Sequence, residues 1–399
     1  MNKKLQYYLL PYLVILFIFS VFFLNLKHDV LNDSTISEWL INYNGGFAKR
    51  GIIGQISIFF ANSLSINLRD SILFFQILIV GIYYLLIYFF LKNLEFDRIL
   101  LLSVFTPIFL LYPVAEIEVL ARKENFIFSI MILYLLIPIH KENFQNIFKL
   151  VFFPIAVLIW EPVVFLFLFW IALDIIHKKI SILNFNLIKK FIVYLPTITI
   201  AFYIALNPMT INQHEEMALY LSSQFNESCY MSCHRLLTSS TILDNFTHNI
   251  PRYSLEVFFR YFCIILIGFG PLFILLFNSK LKNKIYFFNR FKNLLFPFLI
   301  LLSPVIILFG MGYDWGRWVN ISYVFAIISY IYIYKCNFIK LSEKFLSNKL
   351  FLKINRKIFI LIIIFYCFGW NPKTAITGDV ASFPGYRIPY KALKIILND

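Results

Sequence analysis

"LVFFPIAVLIWEPVVFLFLFWIALDII", residues 150–176, is an apolar run of 27 residues with Trp160-Glu161-Pro162 near its middle. Read as one tilted helix, it is long enough to cross a bilayer. Its flanks argue otherwise. "HKENFQNIFK" (140–149) before it and "HKKISILNFNLIKK" (177–190) after it are both basic, and basic loops belong on the cytoplasmic side. One crossing would put them on opposite sides. Proline disfavours helix at the residue before it and breaks the hydrogen-bond ladder. The stretch therefore reads as two short helices that enter the membrane and return, with Trp160-Glu161-Pro162 at the tip. Broken backbone is tolerated at membrane depth where it lines a protein cavity.

The rest of the chain extends this reading. Apolar runs recur at 7–26, 71–91, 99–114, 126–139, 192–207, 255–277, 294–309, 320–334 and 358–370. With the broken hairpin they make about 11 membrane segments, N-terminus inside and C-terminus outside. The expected fold is all-α, a polytopic integral membrane protein forming a single transmembrane domain over 1–399. Of the 399 residues, 60% are hydrophobic and 14% charged, against about a quarter charged in a soluble domain. Continuous rather than alternating runs exclude a β-barrel. The first run follows Lys3 and Lys4 but is long and lacks a small-residue cleavage site, so it reads as a retained helix, not a signal peptide.

Charge supports the topology. The segments assigned to the cytoplasm hold about 22 of the 36 Lys and Arg, but about 5 of the 21 Asp and Glu. A net charge of +15 is thus explained by basic cytoplasmic loops, with no nucleic-acid partner. Most carboxylates lie outside, so chemistry that uses them belongs there. Two outer loops are long, 27–70 and 208–254, and the tail 371–399 is also outside. Within the first loop, "GIIGQISIFFANSL" (51–64) is too short to span and suits an interfacial helix.

Four clusters carry candidate chemistry. The first is "NYNGGFAKRGIIGQ" (42–55), where Lys49 and Arg50 face outward against the usual bias. They are either interfacial cations reaching lipid phosphates or an anion site. In the second case Gly45, Gly46 and Gly51 let backbone N–H groups approach a ligand, and the helix beginning near Gly51 points its positive end at it. The second is "EIEVLARKENF" (116–126), with Glu116, Glu118, Arg122, Lys123 and Glu124 at a membrane boundary. Charges there are costly unless paired or wetted, and Glu118 and Arg122 are i,i+4 partners on a helix. The third is "GYDWGRWVN" (312–320), where Asp314 and Arg317 stand among tryptophans, as a site or a salt bridge. The fourth is Glu161 at the hairpin tip. In "CYMSCH" (229–234), Cys229 and Cys233 suit a local disulfide in an oxidising compartment. His214 and His234 are near in sequence, but the spacing matches no zinc pattern, so no metal site is expected. Tyr386 and Arg387 in the tail are candidates to fold back over the outer face. The sequence has no Walker loop, Rossmann fingerprint or HExxH motif.

Gly45–Gly54, Arg122–Glu124, Trp160–Pro162 and Asp314–Trp318 together resemble the O-antigen polymerases of bacterial surface-polysaccharide clusters. Position 49 is Lys where that pattern has Arg, and 124 is Glu where Asp is usual. The resemblance implies a glycosyltransferase related to the C-type superfamily, in the bacterial inner membrane with its active face periplasmic. It implies an undecaprenyl-pyrophosphate-linked oligosaccharide as substrate and a chain-length regulator as a candidate partner. Such a reaction needs a base for the attacking hydroxyl and stabilisation of the departing phosphates. Glu161 is the first expectation for the base, since a buried carboxylate with a raised pKa suits that role, and Asp314 the second. Lys49, Arg50, Arg122, Lys123 and Arg317 are expected to neutralise the pyrophosphate without a metal or other cofactor. Rival readings are a C-type transferase adding one sugar from a lipid phosphate, a transporter or flippase of lipid-linked sugars, and, last, an acyl transferase.

Overall fold

The computed structural model describes residues 2–378 except 96, 179, 181–190, 239–241, 284 and 343–353. Tyr386, Arg387 and most of the tail 371–399 lie outside these residues. The described chain is helical apart from one two-stranded ribbon, Ser279–Leu281 against Ile339–Leu341. That ribbon joins two loops assigned to the cytoplasm and has no counterpart in the sequence reading. Three-residue strands carry too little alternation to show in a pattern.

Four described helices are long and apolar enough to cross a membrane: Tyr7–His28, Leu68–Leu91, Glu142–Ile159 and Leu255–Phe277. Ile192–Leu206 and Ile211–Phe225, bent at 97°, pass together as a fifth. Run 320–334 lies within the 21-residue helix Trp315–Lys335, and the remaining apolar runs form shorter or interrupted helices. Run 99–114 stops at Phe105, before Thr106-Pro107, and resumes as Tyr112–Ala115. Run 294–309 is cut at Ser303-Pro304 into Leu295–Leu302 and Ile306–Met311. Proline accounts for both interruptions. Outward residues are apolar, Phe259 being 69% exposed, a surface suited to lipid.

The hairpin at 150–176 folds back on itself. Phe153 stacks on Trp170 at 3.9 Å between centroids, and Lys149 Nζ donates to Asp174 at 2.6 Å. Both pairs are equidistant in sequence from the Glu161–Pro162 bond, as an antiparallel return requires. Its arms are unequal. The first, Glu142–Ile159, is a full 18 residues, because 142–149 continues the helix; the second is a 3-10 turn, Glu161–Leu166, leading into Phe167–His177. The chain breaks helix at Trp160, with φ −156° and ψ 94°. Tyr134 and Tyr194 also donate to Asp174, so this carboxylate ties the hairpin to both neighbouring helices.

The pillar of the fold is Trp315–Lys335, buried at every residue from Trp315 to Ile333. It packs against Glu124–Leu136, Phe167–His177, Leu255–Phe277 and Leu295–Leu302. A helix buried all round sets the positions of what surrounds it, and its first turn carries Arg317.

Candidate functional site

The site is assembled from four distant segments. After the short helix Ser34–Ser37 the chain turns through Glu38, and Trp39, Leu40 and Ile41 follow fully buried. The helix Gly51–Leu64 lies directly on them. A Cβ at Gly54 would stand 2.0 Å from the Ile41 carbonyl oxygen and 2.5 Å from that of Trp39, so only glycine allows the approach. Arg50 turns the chain into this helix in the left-handed region, at φ +65°. The 116–123 segment is stitched on through backbone acceptors. Trp39 Nε1 donates to Ala121 O at 3.2 Å, and Lys123 Nζ donates to Arg50 O at 2.5 Å.

These constraints converge on Glu38, whose side chain is 1% exposed. Its Oε1 lies 3.1 Å from Arg317, 3.6 Å from Arg122 and 3.9 Å from Arg50. The ring closes through three more acids. Arg317 pairs with Glu124. Asp314 stands 3.5 Å from Arg317 and 3.8 Å from Arg122. Arg50 grips Glu161 with two hydrogen bonds, at 2.7 and 2.8 Å. Burial pushes the Glu38 carboxyl up, but Arg317, Arg122, Arg50 and Lys123 together hold it well below the usual carboxylate range. Burial drives Lys123 down to about 7, against the pull of Glu38. It lowers Lys49 as well, against Glu161.

All five expected cations and both expected carboxylates are therefore in one neighbourhood, but their roles shift. Glu161 is not a buried acid with a raised pKa. Both its oxygens are held by Arg50, and paired, hydrogen-bonded carboxylates stay ionised. Asp314 is the more available carboxylate. It is 20% exposed, and its contacts to arginine are long and confined to Oδ2. Gly45 and Gly46 do not open toward an anion. A Cβ at Gly45 would fall 1.9 Å from Gln213 O, and at Gly46 2.8 Å from Gln213 Nε2. The two glycines admit the helix Ile211–Phe225, which lies across the loop. At Gly51 a Cβ would meet the Tyr43 ring at 2.4 Å. Glu118 and Arg122 are not side-chain partners, because the segment is a 3-10 turn rather than an α-helix. Arg122 Nε instead donates to the Glu118 backbone at 2.7 Å. Glu116 leaves the cluster for the C-terminal segment, accepting from Asn371 at 3.0 Å and pairing with Lys373 at 3.2 Å.

Cys229 and Cys233 form the expected disulfide. His214 Nε2 lies 3.1 Å from Cys229 Sγ, close enough to group with both sulfurs as metal donors. In this structure the two sulfurs are bonded to each other.

The sequence reading did not give Glu38 its central place. Its visible signal is an acid directly before the apolar run Trp39-Leu40-Ile41. Among the described residues, the buried atoms without a hydrogen-bond partner include Glu38 Oε2 and the indole N–H of Trp160 and of Trp318. The two rings lie 6.2 Å apart. Unsatisfied buried polar atoms in a charged cluster mark a place where water or a ligand belongs. No protein-family model, curated protein or solved structure matches this chain.

Proposed function

We propose that this chain is a membrane glycosyltransferase that polymerises oligosaccharide repeats carried on undecaprenyl pyrophosphate. The topology of about 11 segments, with this cluster on the periplasmic face of the bacterial inner membrane, belongs to the same proposal. The supporting observation is the convergence of Arg50, Arg122 and Arg317 on one buried carboxylate beside the more exposed Asp314. So many desolvated charges are costly for a purely structural role.

In this reading the acceptor hydroxyl attacks the anomeric carbon of the donor. The bond from that carbon to the diphosphate oxygen breaks, and the hydroxyl proton passes to Asp314. The diphosphate departs with the bonding pair, and Arg122 and Arg317, which already flank Asp314, stabilise its charge. Glu161 and Glu38 keep the guanidiniums oriented rather than taking the proton.

The test is complementation of a deletion strain. Asp314→Asn and Arg317→Lys, inserted at normal levels, are expected to replace the lipopolysaccharide ladder by a single repeat. A normal ladder from both variants refutes the reading. A deletion phenotype that removes one sugar instead of the ladder favours the single-sugar transferase.

A further inference from the structure

A second group of arginines lies at the same end of the fold, and among the described residues no acid pairs with it. Arg235 and Arg252 each place their guanidinium carbon 5.0 Å from the Tyr313 ring centroid. Their charges are therefore at most about 10 Å apart, twice that distance. Arg252 also meets His248 Nε2 at 3.2 Å. Among the described residues no carboxylate lies within 4.0 Å of either, whereas Arg50, Arg122 and Arg317 all have one. Two like charges on one ring repel, and an anion between them removes that cost.

The platform under them is built, not incidental. Tyr313 O accepts from Ile376 N at 2.9 Å. Tyr253 donates its hydroxyl to the carbonyls of Phe309 and Gly310, each at 2.9 Å. Asn249 Nδ2 donates to Met311 O at 2.7 Å. Close to Arg252 in sequence, Leu243, Ile250 and Leu255 are exposed, and Leu255 opens the apolar helix Leu255–Phe277. Cations bordered by exposed apolar side chains match the boundary between a lipid's headgroup and its tails.

We propose that Arg235 and Arg252 form a clamp over Tyr313 that binds the phosphate or diphosphate headgroup of a membrane lipid. Guanidiniums suit it because their planar fork matches phosphate oxygens. Tyr313 directly precedes Asp314, so a headgroup held there lies next to the candidate base. The clamp stands on its own geometry and rests on the transferase reading only for which lipid it serves.

The test uses full-length protein in phosphatidylcholine nanodiscs and three probes: a fluorescent polyprenyl diphosphate, phosphatidylglycerol and inorganic diphosphate. Arg235→Gln/Arg252→Gln is expected to weaken polyprenyl diphosphate binding at least tenfold and to flatten its salt dependence. The double Lys variant should restore part of the affinity, and Lys357→Gln, a distant exposed cation, should change nothing. An equal loss for phosphatidylglycerol supports the clamp and identifies bulk lipid as its source. Loss confined to the diphosphate probes supports it and identifies the carrier lipid. Unchanged binding of all three by the double variant or, if that fails to fold, by Arg252→Gln alone overturns the proposal. The readout is binding without turnover, so a failed transferase reading leaves this result unaffected.

Discussion

Glu38→Gln is the sharpest perturbation of the charged cluster, because it removes one charge and almost no volume. The carboxylate faces guanidiniums at 3.1, 3.6 and 3.9 Å. At an effective dielectric of about 20, each contact is worth roughly 4–5 kcal/mol before costs. Desolvation and the mutual repulsion of the arginines offset most of that sum. Removing one partner of a buried pair typically costs about 3–5 kcal/mol, and that loss is expected here. Arg317 keeps Glu124 and Asp314, and Arg50 keeps Glu161. Among the described residues Arg122 keeps a single carboxylate, Asp314 at 3.8 Å, beside its bond to the Glu118 carbonyl, so it is the group made most costly. The assay is reversible unfolding in mixed micelles, followed by tryptophan fluorescence. Glu38→Gln/Arg122→Gln should lose less than the two single variants added together, by about 0.5–3 kcal/mol. If Glu38→Gln unfolds within about 0.5 kcal/mol of wild type, a range usual for surface changes, Glu38 is not the keystone. The contribution is insensitive to mild acid. A carboxyl with a depressed folded pKa stabilises above its ordinary range and loses this only as pH falls through the folded value, so pH 5–8 leaves it intact.

Lys123, with a folded pKa near 7, also gains stability as pH rises, but within the working range of the assay. Below pH 7 both states are protonated and the burial penalty is full; as pH rises toward about 10 the unfolded chain alone keeps the proton, so stability rises by up to about 1.4 kcal/mol per pH unit. The wild-type slope over that interval should exceed that of Lys123→Met. Gly45→Ala drives a methyl into Gln213 O and should lift Ile211–Phe225 from the loop, read as faster amide exchange in that helix at a cost of about 1–3 kcal/mol. Lys149→Met strands Asp174 among Tyr134 and Tyr194 and should cost about 3–5 kcal/mol in the unfolding assay. Cys229→Ser/Cys233→Ser opens a loop of five residues, for which chain entropy gives about 2 kcal/mol; the loss should show as proteolysis near 226–238, with the charged cluster unaltered.

Helix positions were legible wherever hydropathy alone decides them. Leu255–Phe277 coincides with its apolar run, and Gly51–Leu64 with the expected interfacial helix. The hairpin was legible because basic flanks and an acid before proline speak to topology, not to pairing. Thr106-Pro107 and Ser303-Pro304 interrupt apolar runs as Glu161-Pro162 does, yet no basic flank contradicts a straight span there. The first arm of the hairpin is longer than hydropathy implies, because "ENFQNIFK" is polar in composition although it continues the helix and buries Phe148 and Lys149.

At the site, spacing revealed which charges were out of place but not what they meet. Arg317 and Glu38 are 279 residues apart in sequence, and no periodicity spans that distance. A local rule made Glu118 the partner of Arg122, and it failed because the backbone there is not an α-helix. Glycine carries a similar ambiguity. A stretch with Gly45, Gly46, Gly51 and Gly54 states that something approaches closely. It does not say whether that is a phosphate, another helix or the chain's own backbone. Here Gly45 and Gly46 receive the helix Ile211–Phe225, and Gly54 receives the carbonyls of Trp39 and Ile41. The second contact matters most. By laying Gly51–Leu64 on the backbone that follows Glu38, it brings Arg50 over that carboxylate. The loop thus takes part in the charged site through the direction its glycines give to Arg50, not through a nest of amides for a ligand.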